Sequence, residues 1–244
     1  MKTIRLLDGS EWNVDELIDK MYDNEFYYGY LGENCLSSSS CKKLCESVED
    51  YLFQDTALDS NIKPLRDGRL FHVTVLESEK LDDYYDFVDV GTRRNKEFKA
   101  MFETSKKEVM LYKEKLWAED LKDSILKHSR SKELIESGKP EVPNINYVFG
   151  LPFRGKADLL CEDRVVDIKT TGDIDNWDYN KFFYGYDMQA YLYMKLFDKE
   201  AFEFIIIDKR TKKVKTDEVT EDFIKSGERK VEKAVGNYVK YFGI

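Results

Sequence analysis

Asp158, Asp167 and Lys169 lie close together in the stretch Arg154-Gly-Lys-Ala-Asp158-Leu-Leu-Cys-Glu-Asp-Arg-Val-Val-Asp167-Ile-Lys169. If two strands join through a tight turn at Glu162-Asp163, Cys161 pairs with Arg164, Leu160 with Val165 and Leu159 with Val166. Asp158 then falls opposite Asp167. Opposed side chains stand about 4.5–5.5 Å apart at Cβ, and like charges there repel. A hard divalent cation with oxygen ligands resolves that repulsion. Lys169, two residues beyond Asp167, projects from the same strand face. Two carboxylates and an ammonium on one point can hydrolyse a phosphodiester with metal assistance. Mg²⁺ polarises the phosphate and acidifies a water, and the lysine positions or deprotonates that water or offsets charge on the phosphorus oxygens. From the hairpin alone, an ordinary surface ion pair explains these residues equally well, and a bulge at Cys161-Arg164 would shift the pairing by one.

The surrounding elements must hold that hairpin. From Tyr147 to Lys169, short runs of Val, Phe, Leu and Ile broken by Gly and Pro read as strands. Residues 182–198 are apolar nearly all round and read as a buried helix. Residues 202–207 are a strand leading through Asp208–Lys213 into a hairpin, and 219–242 form an amphipathic C-terminal helix. Upstream, Cys41, Leu44, Cys45, Val48 and Leu52 share one helical face, with Ser39 or Ser40 as the N-cap. Cys41 and Cys45 are then small core residues and not metal ligands. Residues 70–76 are ambiguous by period, whereas 93–137 are charged and mostly helical, ending at Ser137-Gly138. The sum is a mixed α/β (α+β) chain with helices first and a small sheet in the second half. We expect one domain over 1–244, a mainly helical part (1–105) followed by a core (106–244) that includes the C-terminal helix.

Composition narrows the function classes. The 244 residues carry 39 Lys+Arg against 48 Asp+Glu, a net charge of −9, which argues against a protein that coats DNA by neutralising many phosphates. An enzyme with a local basic patch and a metal remains open. Two histidines, His72 and His128, leave little for zinc sites or histidine-based triads. Four cysteines in this length make no disulfide scaffold. No apolar run approaches a membrane span, and Asp8 and Glu11 interrupt any signal-like stretch, so the expected compartment is the cytoplasm. Gly150-Leu-Pro-Phe-Arg-Gly155-Lys156 begins like a phosphate loop, but Ala157 stands where Ser or Thr should ligate magnesium and strands follow where a helix is needed. Asp173-Ile-Asp175-Asn-Trp177-Asp178 lacks the glycine and third ligand of a calcium loop.

With those decoys removed, Asp158 followed by Asp167-Ile-Lys169 resembles the PD-(D/E)XK nuclease motif, with Ala157 at the proline position. Gln189-Ala-Tyr-Leu-Tyr193 is similar to the Q-x-x-x-Y motif of the RecB-like branch, its two polar residues on one helical face. Gly68-Arg69-Leu-Phe-His72-Val-Thr-Val-Leu76-Glu77 resembles the G-x-x-x-H-x-x-x-L-E signature of phage exonuclease VIII-type enzymes. Leu36-Ser and the following helix resemble that family's S-x-S helix, Arg93-Arg94-Asn-Lys96 its basic patch, and Glu141 its upstream acidic ligand.

The resemblance implies a PD-(D/E)XK restriction-endonuclease-like core, a small central mixed sheet flanked by helices behind a helical N-terminal part. It implies a Mg²⁺-dependent exonuclease, with Mn²⁺ as substitute, that resects linear duplex DNA from the 5′ end for phage recombination. A single-strand annealing protein would be its partner and a homo-oligomeric ring its assembly. Asp158, Asp167, Glu141 and His72 become metal ligands, Lys169 the catalytic lysine, and Gln189 and Tyr193 holders of backbone phosphate or supports of Lys169. Arg66, Arg69, Arg93 and Arg94 are candidates for gripping phosphate, where arginine binds bidentately. No cysteine follows Cys161, so no iron–sulfur cluster is expected. His128, Tyr27, Tyr28 and Trp177 could stack on bases, although packing explains each more simply. The same motifs fit a single-strand-specific exonuclease, a structure-selective endonuclease or an inactive DNA-binding module, because end recognition is set by the channel and not by the hairpin. A core with no nucleic-acid role would bind no divalent metal.

Overall fold

The computed structural model describes residues 2–52 and 62–243. The chain opens on a hairpin, β1 (Thr3–Arg5) and β2 (Glu11–Asn13), followed by helices α1 (Val14–Lys20), α2 (Asn24–Tyr28), α3 (Tyr30–Asn34), α4 (Ser38–Glu46) and α5 (Val48–Leu52). Next come α6 (Lys63–Leu76), α7 (Leu81–Tyr84), β3 (Tyr85–Val88), α8 (Lys96–Thr104), β4 (Glu108–Leu111), α9 (Tyr112–Lys127) and α10 (Ser129–Ser137). The remainder supplies β5 (Lys139–Val148), β6 (Leu151–Leu160), β7 (Arg164–Thr171), α11 (Trp177–Phe183), α12 (Tyr186–Phe197), β8 (Ala201–Asp208), β9 (Val214–Glu218) and α13 (Glu221–Phe242).

The central sheet has the order β5-β6-β7-β8-β9. Its neighbours are antiparallel except β7 and β8, which run parallel through the α11–α12 crossover. A strand covered on both faces loses period-two alternation, and β8 shows why. Phe202, Phe204 and Ile206 join a cluster with Met188, Leu192 and Val231 of α12 and α13. Ile205 and Ile207 join one with Phe71, Leu121 and Ile125 of α6 and α9. Burying each such side chain contributes roughly 1.5–3 kcal/mol, so both faces demand apolar residues. The result is the expected mixed α/β core, a small mixed sheet between helical layers. No helix among the described residues is long and apolar enough to cross a membrane.

Several local expectations change. Ser37, not Ser39 or Ser40, caps α4 by accepting the Ser40 N–H at 3.3 Å. Extended backbone at Ser47 then divides the expected single helix into α4 and α5. Cys41 is buried, and Cys45 is half-buried with its thiol donating to the Lys230 carbonyl. The 70–76 run is helical, within α6. Its period was ambiguous because the helix is buried on two sides, Leu70 packing near Tyr85 and Met110 while Phe71 meets the sheet. Within 93–137, Glu108–Leu111 is a strand that pairs in parallel with β3, a non-local contact that periodicity does not register. The buried helix begins at Tyr186, where left-handed Gly185 separates it from α11.

Candidate active site

β6 and β7 pair at only two positions, Leu160 with Val165 and Leu159 with Val166, and the Cys161 N–H donates to the Arg164 carbonyl at 3.0 Å. That is the expected register, without a bulge. Beyond it the ladder stops, because Asp158 Oδ2 accepts the Ile168 N–H at 2.7 Å in place of a strand carbonyl. The strands fork at the two aspartates, and β7 continues alongside β8. On the other side, β5 pairs with β6 as Pro140 with Leu159 and Val142 with Ala157, which sets Glu141 opposite Asp158 but outside the ladder. Glu141 has φ of 51°, a left-handed backbone that costs a non-glycine residue roughly 1–2 kcal/mol. Such strain persists where surrounding structure imposes it, often at functional sites.

The polar groups separate into two sets. His72 Nδ1 of α6 lies 3.5 Å from Asp158 Oδ2. His72, Glu141 and Asp158 each offer a ligand atom, all within 4.8 Å of one another. Asp167 is not in that group. Its Oδ2 lies 2.6 Å from Lys169 Nζ without hydrogen-bond geometry, and its Oδ1 accepts Gln189 Nε2 at 2.6 Å. Lys169 Nζ also sits 4.7 Å from the Tyr186 ring centroid. Tyr193 lies one helical turn beyond Gln189 on the same face of α12, and Gly155 makes room for it, since a Cβ there would lie 2.9 Å from Tyr193 Cε1. The single convergence point expected from the hairpin is thus a ligand triad beside an Asp167–Lys169–Gln189 set.

Burial disfavours charge throughout the cluster, and neighbours decide the outcome. Burial and then the Asp158 carboxylate push Glu141 up to about 7. Burial opposes the charge on His72, but Asp158 prevails and raises it to about 9. Burial likewise opposes Asp158, yet the imidazole holds its carboxyl below the usual range. Asp167 is raised by burial to about 6, with Lys169 offsetting part of the effect. Lys169 is desolvated too, but Asp167 keeps it above the ordinary lysine value. The Asp167 carboxylate thus favours its ammonium form, which can offer positive charge to a phosphate oxygen.

The donors suit a hard divalent cation. Two carboxylates and an imidazole converge, and beside them the buried Asp167 Oδ2 is paired with the Lys169 ammonium at 2.6 Å. Burial and the Asp158 carboxylate disfavour the charge on Glu141, a cost that a cation among these donors would offset.

Residues 37–241 match the family model described as a PDDEXK-like domain of unknown function (DUF3799). The chain belongs to this PDDEXK-like family. A crystal structure from Eubacterium rectale, named a candidate exonuclease, shares the fold at 18% identity and a TM-score of 0.61, covering 88% of this chain and 87% of that one. A phage-related exonuclease from Haemophilus somnus 129PT aligns at 14% identity and a TM-score of 0.39, over 86% and 95% of the two chains. An alkaline exonuclease from Laribacter hongkongensis aligns at 12% identity and a TM-score of 0.35, over 86% and 91%. No curated protein matches the chain.

In this PDDEXK-like chain the four arginines are not equivalent. Arg66, Arg93 and Arg94, with Lys63 and Lys113, line a cavity of about 480 Å³. Arg93 is committed within the fold, donating to Glu114 at 2.6 Å and to the Val109 carbonyl at 3.1 Å. Arg69 faces Glu108 at 3.3 Å. Of the residues considered for base stacking, Trp177 is buried and donates to Asp217, Tyr27 is buried under Arg154, and His128 caps α10. Only Tyr28 is exposed.

Two site residues escaped the sequence reading. Lys156 neighbours Glu141, and burial lowers its amine below the ordinary lysine value. Its signal was period two from Asp158, obscured by its place in the rejected phosphate-loop match. Tyr186, beneath Lys169, lies one helical turn before Gln189.

Proposed function

We propose that this protein is a divalent-metal-dependent deoxyribonuclease that digests linear duplex DNA from the 5′ end and leaves a 3′ single strand. The observation that carries the reading is the convergence of His72, Glu141 and Asp158 beside the Asp167–Lys169 pair at the fork of β6 and β7. A cation held by His72, Glu141, Asp158 and Asp167, Mg²⁺ with Mn²⁺ as substitute, would supply charge to the scissile phosphate and acidity to the attacking water. Lys169 donates to a phosphate oxygen as negative charge builds there. Asp167 holds the ammonium in place, Gln189 orients Asp167, and Tyr193 steadies Gln189. Arg66 and Arg94, with Lys63 and Lys113, grip backbone phosphate at their cavity, while Arg69 and Arg93 exchange an internal carboxylate for phosphate or remain structural.

The exonuclease VIII-type motifs and the name of the Eubacterium rectale neighbour support end-directed digestion. On the same resemblance we assign a place in phage recombination in the host cytoplasm, an annealing-protein partner and a ring around DNA. Linear duplex labelled at either end, with a closed circle as control, tests the reading in Mg²⁺ against Lys169→Ala. Early release of the 5′ label by wild type alone, with the circle intact, is the expected result. A cut circle would make the protein an endonuclease, and digestion of single strands only would make it a single-strand exonuclease. No metal-dependent cleavage of any substrate would refute nuclease function.

A further inference from the structure

The segment from α11 into α12 carries five closely spaced aromatic residues, Tyr179, Phe182, Phe183, Tyr184 and Tyr186. Each aromatic ring brings about 150–250 Å² of largely apolar surface that folding ordinarily hides. Yet Tyr179 is 68% exposed, Phe183 61% and Tyr184 49%. These rings are not needed to anchor α11. Trp177 packs edge-on against Phe204 at 5.3 Å, and Phe182 against Phe223 at 4.9 Å. The outer rings are surplus to packing.

They are also contiguous. Tyr179 and Phe183 lie nearly parallel with centroids 5.9 Å apart, and Phe183 meets Tyr184 edge-on at 5.2 Å. Tyr184 and Tyr186 follow at 5.8 Å, and Tyr186 lies 4.7 Å from Lys169 Nζ. Lys42 Nζ stands 5.8 Å over the Tyr184 ring. An unbroken aromatic path therefore leads from the ammonium at the fork out to solvent, with a second cation beside it.

We infer that this path is a stacking platform for the bases of a single DNA strand that enters or leaves the site. The inference rests on the nuclease reading and adds the strandedness of the substrate at this face. A ligand lying along the path meets aromatic faces outside and an ammonium within, so it must present both π faces and phosphates. A single strand does so, whereas the bases of a duplex are occupied with one another. A protein partner or a second copy of the chain would match the rings but leave the approach to Lys169 unexplained.

Fluorescence anisotropy in EDTA tests this with a labelled oligothymidylate, an abasic strand of equal length and a blunt duplex. Stacking contributes enough per base that losing two rings weakens binding by at least about tenfold. Wild type should prefer the thymidylate to the abasic strand, which has the same charge but no bases. Tyr179→Ala/Phe183→Ala should lose that preference and keep its duplex affinity, and Tyr179→Phe/Phe183→Tyr should retain both. Equal wild-type affinity for the two single strands overturns the inference, and so does undiminished thymidylate binding by the alanine pair. A change of oligomeric mass in the alanine pair by sedimentation also overturns it, assigning the face to contacts between copies. Mn²⁺-dependent digestion of duplex by wild type is scored separately. Its absence beside an intact preference for bases would remove the nuclease reading while the platform stood.

Discussion

Glu141 and Asp158 face each other across β5 and β6, and neither takes part in the ladder at that step. Asp158 is also the first residue beyond the last β6–β7 pair, directly before Asp167 on the other side. Three adjacent strands therefore bring three carboxylates into one row. Like charges so opposed are destabilising, and His72 and Lys169 offset only part of the cost. The fold holds Glu141 there in a left-handed backbone conformation, which places function ahead of stability at this position.

Glu141→Gln should consequently stabilise the metal-free protein while weakening its grip on metal. A carboxyl pushed up to about 7 binds its proton more tightly in the folded than in the unfolded chain. The Glu141 contribution to stability therefore falls as pH rises from about 4.5 to about 7 and stays low above that. The neutral variant escapes this loss. Its advantage should be on the order of 1–2 kcal/mol at pH 8, discounted for partial exposure, and should fade near pH 4.5. Urea denaturation in EDTA at both pH values checks the sign, and calorimetry should show weaker Mn²⁺ binding. A variant less stable than wild type at pH 8 would contradict the argument.

Gln189 touches Asp167 through one hydrogen bond of 2.6 Å, so its removal should act on turnover. Gln189→Ala should lower kcat by about 10–100-fold, the usual cost of losing a group that orients a site ligand. KM for DNA should change little, because the amide is spent on Asp167. A rise in KM with kcat unchanged would instead place Gln189 on the substrate phosphate.

Local chemistry made the hairpin legible. The turn at Glu162-Asp163 and the apolar partners Leu159, Leu160, Val165 and Val166 fix the register without help from distant residues. What then happens to the two aspartates was not legible, because their partners come from other elements. His72 arrives from α6 and takes Asp158, while Gln189 arrives from α12 and takes Asp167. Glu141 was picked out by family likeness as a residue upstream of the hairpin, but its strand register is set by a non-local pairing. The β3–β4 pair escaped notice for the same reason. The exposed rings of α11 were hidden in a different way, since an aromatic run reads as core until burial is known.

The long C-terminal helix offers a paired test of packing. A Cβ at Gly227 would stand 2.0 Å from the Asp187 carbonyl oxygen of α12, whereas a Cβ at Gly236 would meet nothing within 4 Å. Alanine in a helix interior is ordinarily favoured over glycine by about 1 kcal/mol. Gly236→Ala should therefore stabilise by roughly 0.5–1 kcal/mol. Gly227→Ala forces two helix backbones apart and should destabilise by about 3 kcal/mol or more. Thermal melting of the two variants should move Tm in opposite directions.

Glu203 is a charged residue inside the apolar run of β8. Its side chain is 4% exposed and holds two guanidiniums, Arg130 of α10 at 2.7 Å and Arg164 of β7 at 2.9 Å. Removing one member of a buried ion pair costs about 3–5 kcal/mol, because the charge left behind has neither water nor partner. Here Arg130, 34% exposed, keeps Glu133 at 3.0 Å, and Arg164, 15% exposed, keeps Asp163 and Glu218 at 2.7 Å each, so Glu203→Ala should fall at the lower end of that range, about 3 kcal/mol or less. Arg130→Ala should cost less, since Arg164 still neutralises the carboxylate. In a double-mutant cycle the Arg130 effect should shrink once Glu203 is gone. Urea denaturation at constant m-value reads all three, and a Glu203→Ala cost below that of Arg130→Ala would show that the carboxylate is not the hub of the cluster.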